Sequence, residues 1–303
     1  MPMTTEQNTR CGYVALIGAP NAGKSTLLNA LVGSKIAIVT HKVQTTRTRI
    51  LGVAIDGPNQ MIFLDTPGIF QPKKRMERAM VAAAWEGAHD ADIIVLLVDA
   101  SRGIDEDTRR IAGDLKEKKR KVILALNKVD GMKRETLLPL IQEMNEIGEF
   151  TDTLLISALR GDGLDELKAK IAEYLPKGIW LYPEDQLTDI TERMLAAEIT
   201  REKFFLRLHD ELPYSATIET EQWKNLKDGS VRIEQVIYVE RESQKKIVIG
   251  KGGAILKEIG KQAREELEEI LDRRVHLFLF VKVRKDWTED RERYRNMGLD
   301  WVK

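Results

Sequence analysis

The glycine-rich segment "GAPNAGKST" at residues 18–26 constrains the fold more than any other part of the sequence. It follows the apolar run "YVALIG" and opens a helical pattern over 24–32, the setting in which G-x-x-x-x-G-K-[ST] is meaningful. Its glycines let backbone N–H groups point at phosphate oxygens, and the helix start adds its positive end. Lys24 can reach the β- and γ-phosphates, and the Ser25 hydroxyl can ligate Mg²⁺. We predict a triphosphate-binding loop that comprises Gly18, Ala19, Pro20, Asn21, Ala22, Gly23, Lys24, Ser25 and Thr26.

Short apolar runs alternate with amphipathic segments from residue 12 to about residue 175. The predicted strands are "YVALIG", "ILGVAI", "MIFLD", "IIVLLVDA", "VILALN" and "TLLISA". Strands that are apolar on both faces, with helices between them, predict an α/β domain with a mostly parallel six-stranded sheet covered on both faces. Only "DGPN" separates the second run from the third, which predicts a hairpin and one antiparallel edge strand.

The pattern changes at "YLPKGIWLYPEDQ", a stretch without periodicity that is punctuated by Pro176, Gly178 and Pro183. We therefore predict a first domain over 1–177, a linker over 178–187 and a second domain over 188–303. In the second domain the predicted order is α-β-β-α-α-β, closed by the strand "VHLFLFVKV" and followed by a helix in the charged C-terminal tail. This order is typical of a small α+β domain with three strands.

Composition excludes several classes of protein. Lysine plus arginine (48) balance aspartate plus glutamate (48), so any basic surface must be local. Cys11 is the one cysteine, which rules out an internal disulfide and fits a reducing cytosol. The longest apolar run is too short for a membrane span, and the N-terminus lacks the apolar core of a signal peptide. The four histidines are scattered and offer no metal-ligand spacing.

Two segments between the phosphate loop and the fourth strand are expected to contact the metal and the γ-phosphate. "DTPG" at 65–68 ends the third strand, where Asp65 can hold the water shell of the metal and the Gly68 N–H can sense the γ-phosphate. "VQTTRTR" at 43–49 is a polar run that could place a threonine on Mg²⁺, and we choose Thr46 over Thr45. The predicted contacts from the first segment are Asp65, Thr66, Pro67, Gly68 and Ile69.

"NKVD" at 127–130 ends the fifth strand and indicates the base. The Asp130 carboxylate can accept bonds from the N1–H and 2-amino groups of guanine, which adenine lacks, and such sites discriminate by about 10⁴ or more. "SAL" at 157–159 follows the sixth strand and can place a backbone N–H against the guanine O6. The predicted base site consists of Asn127, Lys128, Val129, Asp130, Ser157, Ala158 and Leu159.

Taken together, these motifs resemble the translation-factor-related GTPases, and "QTTR" with "GxPNxGKS" resembles the Era branch of the TrmE-Era-EngA-like family. The resemblance implies a Mg²⁺-dependent GTPase with GTP and GDP as ligands and Ser25, Thr46 and Asp65 at the metal. It also implies catalytic roles for Asn21, Lys24, Thr46, Asp65 and Gly68. Ile69 stands where Ras-like relatives have a water-orienting glutamine, so the intrinsic rate should be slow. The resemblance suggests that Asn21 helps to hold a K⁺ ion in place of an arginine finger.

A second glycine-rich loop, "GKGG" at 250–253, lacks the span and the following Ser or Thr of a phosphate-binding loop for NTP. Taken alone, it could be a plain turn between helices. Residues 241–264, however, contain seven lysines or arginines and two glutamates, so positive charge is concentrated around it. Ile249, Ile255 and the strand at 233–238 are expected to cradle bases. The predicted RNA contacts are Lys245, Lys246, Ile249, Gly250, Lys251, Gly252, Gly253 and Lys257.

A Gly-x-x-Gly loop in this order of elements resembles the type II KH fold, which clamps about four nucleotides of single-stranded RNA. The pairing of the two domains again resembles the Era family. It implies a monomeric cytoplasmic ribosome-assembly factor that binds the 3′ end of 16S rRNA and acts on the small ribosomal subunit. The alternatives left open are a GTPase switch on another RNA, or one peripherally attached to the inner face of the plasma membrane.

Overall fold

The structure is a computed structural model that describes residues 9–42, 45–209, 212–285 and 287–302. The chain folds into two compact units. Within the described residues the first unit contains 9–37, 46–189 and 297–302, and the second contains 38–42, 45 and 190–296 apart from the gaps. Val43 and Gln44 of the predicted metal-contacting run lie outside the described residues.

The first unit is built on a six-stranded sheet in the order β2-β3-β1-β4-β5-β6. The strands are β1 (Arg10–Ile17), β2 (Ile50–Asp56), β3 (Asn59–Asp65), β4 (Ile93–Asp99), β5 (Val122–Asn127) and β6 (Asp152–Ile156). β1 pairs in parallel with β3 and β4, and the pairs β4–β5 and β5–β6 are also parallel. β2 pairs antiparallel with β3, so the predicted hairpin and the mostly parallel sheet are confirmed.

In the described part of the first unit, five helices cover both faces of this sheet, as predicted. They are α1 (Lys24–Val32), α2 (Arg75–Asp90), α3 (Glu106–Glu117), α4 (Arg134–Ile147) and α5 (Leu164–Tyr174). Alternate residues of a strand point to opposite faces, and accordingly Val14 and Leu16 belong to one apolar cluster while Ala15 and Ile17 belong to another. The first cluster includes residues of α1 and α5, and the second includes residues of α2, α3 and α4.

The parallel register brings the polar ends of neighbouring strands to one edge of the sheet. Leu16, near the end of β1, pairs with Asp65, and Asp99 at the end of β4 pairs with Asn127 at the end of β5. Four segments singled out in the sequence therefore follow strands that end side by side. This is where an open α/β sheet binds its ligand.

Residues 178–188 form hydrogen bonds to β2 and β3 of the first unit. The Leu187 carbonyl accepts from Val53 N (2.8 Å), and the buried Gln60 side chain bonds to the backbone of Leu181 and Tyr182. This pairing covers an edge strand that would otherwise present open backbone groups. The division between the units accordingly falls between residues 189 and 190.

The second unit follows the predicted order α-β-β-α-α-β. The elements are α6 (Glu192–Arg207), β7 (Ala216–Asn225), β8 (Val231–Val239), α7 (Glu242–Ile249), α8 (Ala254–Leu271), β9 (Val275–Val283) and α9 (Arg291–Asn296). Its sheet has the order β7-β8-β9, with β8 antiparallel to β7 and parallel to β9. Helices pack on one face, where Phe204, Phe205, Ile237 and Ile259 are fully buried.

Among the described residues of the early sequence, 38–42 and Thr45 belong to the second unit. Ile38 is buried in the apolar cluster that contains Ile199. Val39 N donates to Glu202 Oε1 (2.8 Å), and the Arg201 guanidinium donates to the Thr45 carbonyl (2.5 Å). Nothing in the hydrophobic pattern predicts this assignment. Among the described residues no helix combines the length and the apolar character needed to cross a bilayer.

Candidate nucleotide and nucleic-acid sites

The loop between β1 and α1 needs glycine because other protein atoms occupy the space beside it. A Cβ on Gly23 would lie under 3.0 Å from the Asn127 amide nitrogen, and one on Gly18 would lie under 3.0 Å from the Leu97 carbonyl. Asn21 (φ 65°) and Gly23 (φ 103°) are both left-handed. No side chain of a described residue caps the start of α1, so the N–H groups of its first turn are directed into the loop.

Lys24 is buried beneath this loop, with 6% of its surface exposed. Its ammonium donates to the carbonyls of Gly18 (3.1 Å) and Ala19 (3.0 Å). Burial lowers the pKa of Lys24 to about 8, and the nearby Asp65 charge opposes that shift. The positive charge is therefore held at the position that a phosphate chain on the loop would contact.

Three oxygen-bearing side chains meet at the end of the loop. Ser25 Oγ donates to Asp65 Oδ2 (2.7 Å), and Thr46 Oγ1 lies 2.9 Å from Ser25 Oγ and 3.3 Å from the same carboxylate oxygen. The Thr45 hydroxyl bonds instead to Thr40 and the Lys42 carbonyl. The structure thus brings Thr46, and not Thr45, beside Ser25 and Asp65.

These oxygens fit Mg²⁺. Asp65 is fully buried, and its Oδ1 has no hydrogen-bond partner among the residues that the structure describes. Burial raises the pKa of Asp65 to about 6, against bonds from Ser25 and Thr46 that lower it. A buried carboxylate with an open oxygen, beside two hydroxyls, is the hard donor set that Mg²⁺ takes.

The segment after Asp65 lies against the phosphate loop. A Cβ on Gly68 would approach Pro20 to 2.9 Å, and the Ile69 N–H donates to the Gly18 carbonyl (3.1 Å). The Ile69 side chain is 1% exposed and packs in the core, so it cannot orient a water molecule. Thr66 is also buried, and its hydroxyl donates to the Leu16 carbonyl (2.9 Å), which indicates a structural role.

The phosphate loop is braced by Asn127 at the end of β5 and by Lys128 directly after it. The Asn127 amide donates to the Ala22 carbonyl (2.8 Å) and accepts from the Ala158 N–H (2.9 Å). The Lys128 ammonium donates to the Asn21 carbonyl (2.8 Å) and to Asp99 Oδ2 (2.6 Å). Both side chains therefore bond directly to the backbone of the phosphate loop.

Asp130 is exposed at the mouth of the site and is oriented by its neighbours. Ser157 Oγ donates to Asp130 Oδ1 (2.7 Å), and Arg160 Nε lies 3.6 Å from Oδ2. The bond from Ser157 lowers the pKa of Asp130, so the carboxylate stays ionised and can accept hydrogen bonds. Val129 packs against the core, and Leu159 is 82% exposed.

The sequence motifs missed two charged residues of this site, Asp99 and Arg160. Asp99 closes the apolar run "IIVLLVDA" and belongs to none of the motifs singled out above. Its pairing with Asn127 across β4 and β5 is the signal that could have found it, but strand register is not visible in one sequence. Arg160 directly follows "SAL" and reaches back to Asp130.

The second glycine-rich loop is an open, uncapped turn between α7 and α8. Gly250 (φ 73°), Gly252 (φ 60°) and Gly253 (φ 79°) are all in positive-φ conformations that other residues rarely adopt. Within the part of the chain that the structure describes, no atom lies within 4 Å of a Cβ built on Gly252 or Gly253, and no side chain caps the start of α8. Lys251 is exposed in the middle. The loop therefore exposes its main chain to solvent. A nucleic-acid backbone could approach such a loop closely.

A groove of about 440 Å³ runs from this loop between α8 and β9. Cations line one side, and Leu277, Phe278 and Leu279 of β9 line the other. The groove residues on this side are Gly253 of the loop and, along α8, Leu256, Lys257, Gly260, Lys261 and Arg264. Lys257 is thus part of the groove, and Lys245 and Lys246 lie on α7.

The expectation that residues 233–238 cradle bases is wrong. They lie in β8, the middle strand, whose two edges pair with β7 and β9, and Ile233, Val236 and Ile237 are fully buried. β9 is the strand at the groove. Ile249 and Ile255 are half-buried against the core and are not among the groove residues.

The fold and these sites define a P-loop GTPase joined to a KH domain. The 50S ribosome-binding GTPase family matches residues 13–128, and the KH domain family matches residues 211–288. GTPase Era of Brucella suis biovar 1 (strain 1330) is 59% identical over 298 residues, which cover 98% of this chain and 96% of the relative. GTPase Era of Rhizobium meliloti (strain 1021) is 59% identical over 295 residues, with 97% and 94% covered. The chain therefore belongs to the GTPase Era family.

Two solved structures match the chain across nearly its full length. One is an Aquifex aeolicus Era variant bound to GDP.AlF4⁻, with a TM-score of 0.91, 44% identity, and 96% of this chain and 99% of the other covered. The other is Era in complex with MgGDPNP and nucleotides 1506–1542 of 16S ribosomal RNA, with the same scores and coverage. Both confirm the predicted combination of a GTPase fold with a KH fold.

Proposed function

We propose that this chain binds GTP with Mg²⁺ in its first unit, hydrolyses it slowly to GDP and phosphate, and binds single-stranded RNA at the 3′ end of 16S rRNA with its second unit. Its role would be maturation of the small ribosomal subunit. The observation that carries the GTPase half is the meeting of Ser25, Thr46 and Asp65 at the end of the phosphate loop. The relative solved with MgGDPNP and 16S rRNA supports both halves.

The geometry of the nucleotide site supports the contacts that we propose. The Lys24 ammonium would bind the β- and γ-phosphates, while Ser25 and Thr46 would hold the metal and Asp65 its water shell. When bound, Mg²⁺ neutralises charge that develops on the phosphate oxygens. The Gly68 N–H lies beside the loop and would read the γ-phosphate.

The base is selected at the neighbouring strand ends. Asp130, fixed by Ser157, would accept from the guanine N1–H and 2-amino groups, while the Ala158 N–H is tied to Asn127 Oδ1 in this structure. Adenine lacks those donors and would give the Asp130 carboxylate no hydrogen bond from the base, which is why ATP should bind poorly.

Hydrolysis lacks a side chain that could orient water at residue 69. Asn21 is left-handed within the phosphate loop, and we propose that it helps to hold a K⁺ ion that supplies the missing positive charge. GTP turnover should then be faster in K⁺ than in Na⁺ at matched ionic strength. Equal GTP turnover rates in the two salts would show that K⁺ has no role in hydrolysis.

RNA binding is tested by placing a side chain on the open loop. Gly252→Asp adds a carboxylate where the RNA backbone would lie, and Gly229→Asp is the matched control, because Gly229 also has positive φ (84°) and open space in the same unit. Each change strains the backbone by roughly 1–2 kcal/mol, so their stabilities should be similar. Affinity for a 16S rRNA 3′-end fragment should fall by more than about tenfold in Gly252→Asp alone. Equal affinities for the two variants would rule out the clamp.

The same samples test the remaining parts of the proposal. GTP turnover measured with and without the fragment shows whether RNA affects the first unit. A scrambled fragment of equal length separates this target from another RNA. We further propose that the protein acts as a cytoplasmic monomer, which sedimentation would check. Flotation with anionic vesicles tests the alternative of peripheral attachment to the membrane.

A further inference from the structure

Asp99 is a buried carboxylate at the nucleotide end of the first sheet that the mechanism above does not use. It ends β4 and is 9% exposed. Its Oδ2 accepts from the Lys128 ammonium (2.6 Å), and its Oδ1 accepts from the backbone N–H (3.1 Å) and the hydroxyl (2.5 Å) of Ser101. Arg102 Nε lies 3.7 Å from Oδ2. Burial raises the pKa of Asp99, but the bonds from Lys128 and Ser101 outweigh it and leave that pKa below its usual value.

Lys128 connects this carboxylate to the phosphate loop. Its ammonium also donates to the Asn21 carbonyl (2.8 Å), and both Lys128 (φ 67°) and Asn21 (φ 65°) have left-handed backbones. Such conformations are unfavourable for residues with side chains and persist where neighbouring contacts hold them. The ion pair with Asp99 and the hydrogen bond to the Asn21 carbonyl together hold the long, flexible Lys128 side chain in one position.

We propose that Asp99 is a positioning residue for guanine nucleotide binding. It holds Lys128 over the place of the base and, through Lys128, holds the phosphate-loop turn at Asn21, and it thereby slows nucleotide release. The inference rests on the nucleotide site proposed above. Asp99 itself would touch neither the nucleotide nor the metal.

The chemistry of the pair supports this direction of action. A lysine side chain loses much rotamer freedom when it is fixed, and a charged partner at 2.6 Å keeps it fixed before the ligand arrives. Without the carboxylate, part of the binding free energy would go into ordering Lys128. Because Lys128 is 40% exposed, solvent screens the pair, and we expect a moderate effect on nucleotide release and not a complete loss of binding.

Asp99 also has a structural role that a test must separate. It accepts two bonds from Ser101 in the turn that follows β4, and that turn is next to Asn127, whose carbonyl accepts from the Ala100 N–H (2.9 Å). If a substitution disrupted this turn, nucleotide binding would change by a route that does not involve Lys128. Ser101→Ala removes the hydroxyl bond and leaves the ion pair, so it is the matched control.

The experiment is a double-mutant cycle on GDP dissociation. Fluorescent GDP is chased with unlabelled GDP from the full chain as wild type, Asp99→Asn, Lys128→Met, the double variant and Ser101→Ala, with thermal melts on each. We expect dissociation about tenfold faster in Asp99→Asn, a change of under about threefold in Ser101→Ala, and a double variant no faster than Lys128→Met alone.

Two results would overturn the proposal. One is a double variant in which the effects of the single changes multiply, because Asp99 would then act independently of Lys128. The other is a Ser101→Ala effect as large as that of Asp99→Asn, which would assign the effect to the turn. A wild-type chain that retains GDP no better than ADP would contradict the proposed function instead.

Discussion

Nucleotide affinity should depend on pH through two buried groups, Lys24 and Asp65. Phosphate binds the protonated form of Lys24, whose pKa burial lowers to about 8, so affinity should fall above that pH. Mg²⁺ binds the ionised form of Asp65, whose pKa burial raises to about 6, so metal-dependent affinity should fall below that pH. The protein should therefore bind Mg²⁺ and GTP best between these two values.

The size of each effect follows from the distance to the pKa. One pH unit above the pKa of Lys24 only about a tenth of the free protein carries the ammonium, which weakens binding about tenfold, or about 1.4 kcal/mol. One unit below the pKa of Asp65 the same arithmetic applies to the metal. The assay is a fluorescence titration with a non-hydrolysable GTP analogue at fixed excess Mg²⁺ from about pH 5 to about pH 9.

Two variants test which residue causes the fall in affinity at alkaline pH and which causes the fall at acid pH. Lys24→Arg keeps a positive charge throughout this range, so its affinity, although lower overall, should not fall on the alkaline side. Asp65→Asn cannot ionise and should lose the acid-side fall. An alkaline fall that persists in Lys24→Arg, or equal affinity at about pH 7 and about pH 9 in the wild type, would refute the reasoning.

Three further changes test individual contacts. Gly23→Ala places a Cβ against the Asn127 amide and should raise the GDP dissociation constant at least about tenfold, by loss of a buried bond worth about 1–3 kcal/mol; calorimetry measures it. Ser157→Ala frees Asp130 and should lower the preference for GTP over ATP several-fold in competition binding. Gln235→Ala removes the hydrogen bonds that the buried Gln235 side chain forms with the Thr200 and Thr220 hydroxyls and should destabilise the second unit by about 1–3 kcal/mol in thermal unfolding, with GTP binding unchanged.

Much of the first unit could be predicted because its strands and its phosphate loop are each encoded by one short, contiguous stretch of sequence. The β4 strand is buried at every position and has the sequence of one apolar run, and the phosphate loop carries its own glycines, lysine and serine within nine residues. Parallel strands place their following loops at one edge, so motif order alone predicts that Asp65 and Asn127 lie near the loop.

What the sequence could not show depends on pairings between distant segments. Asp99 gains its contact to Lys128 from the register of β4 and β5, and Ile38 packs with the second unit although it precedes β2. The strand at the groove was assigned wrongly for the same reason. An apolar strand with alternating burial has the same sequence pattern at the middle of a sheet as at its edge. Only the strand pairing shows that β8 is the middle strand and β9 an edge strand.

The two glycine-rich loops use glycine for opposite reasons. In the nucleotide loop, protein atoms fill the space where the side chains of Gly18 and Gly23 would lie, so the backbone is pinned by Leu97 and Asn127 and has one shape. In the second loop, Gly252 and Gly253 have open space beside them, and only their positive φ requires glycine. A pinned loop suits a ligand of fixed length, such as a triphosphate, that must meet a lysine and a metal. An open loop suits a polymer that crosses it and continues.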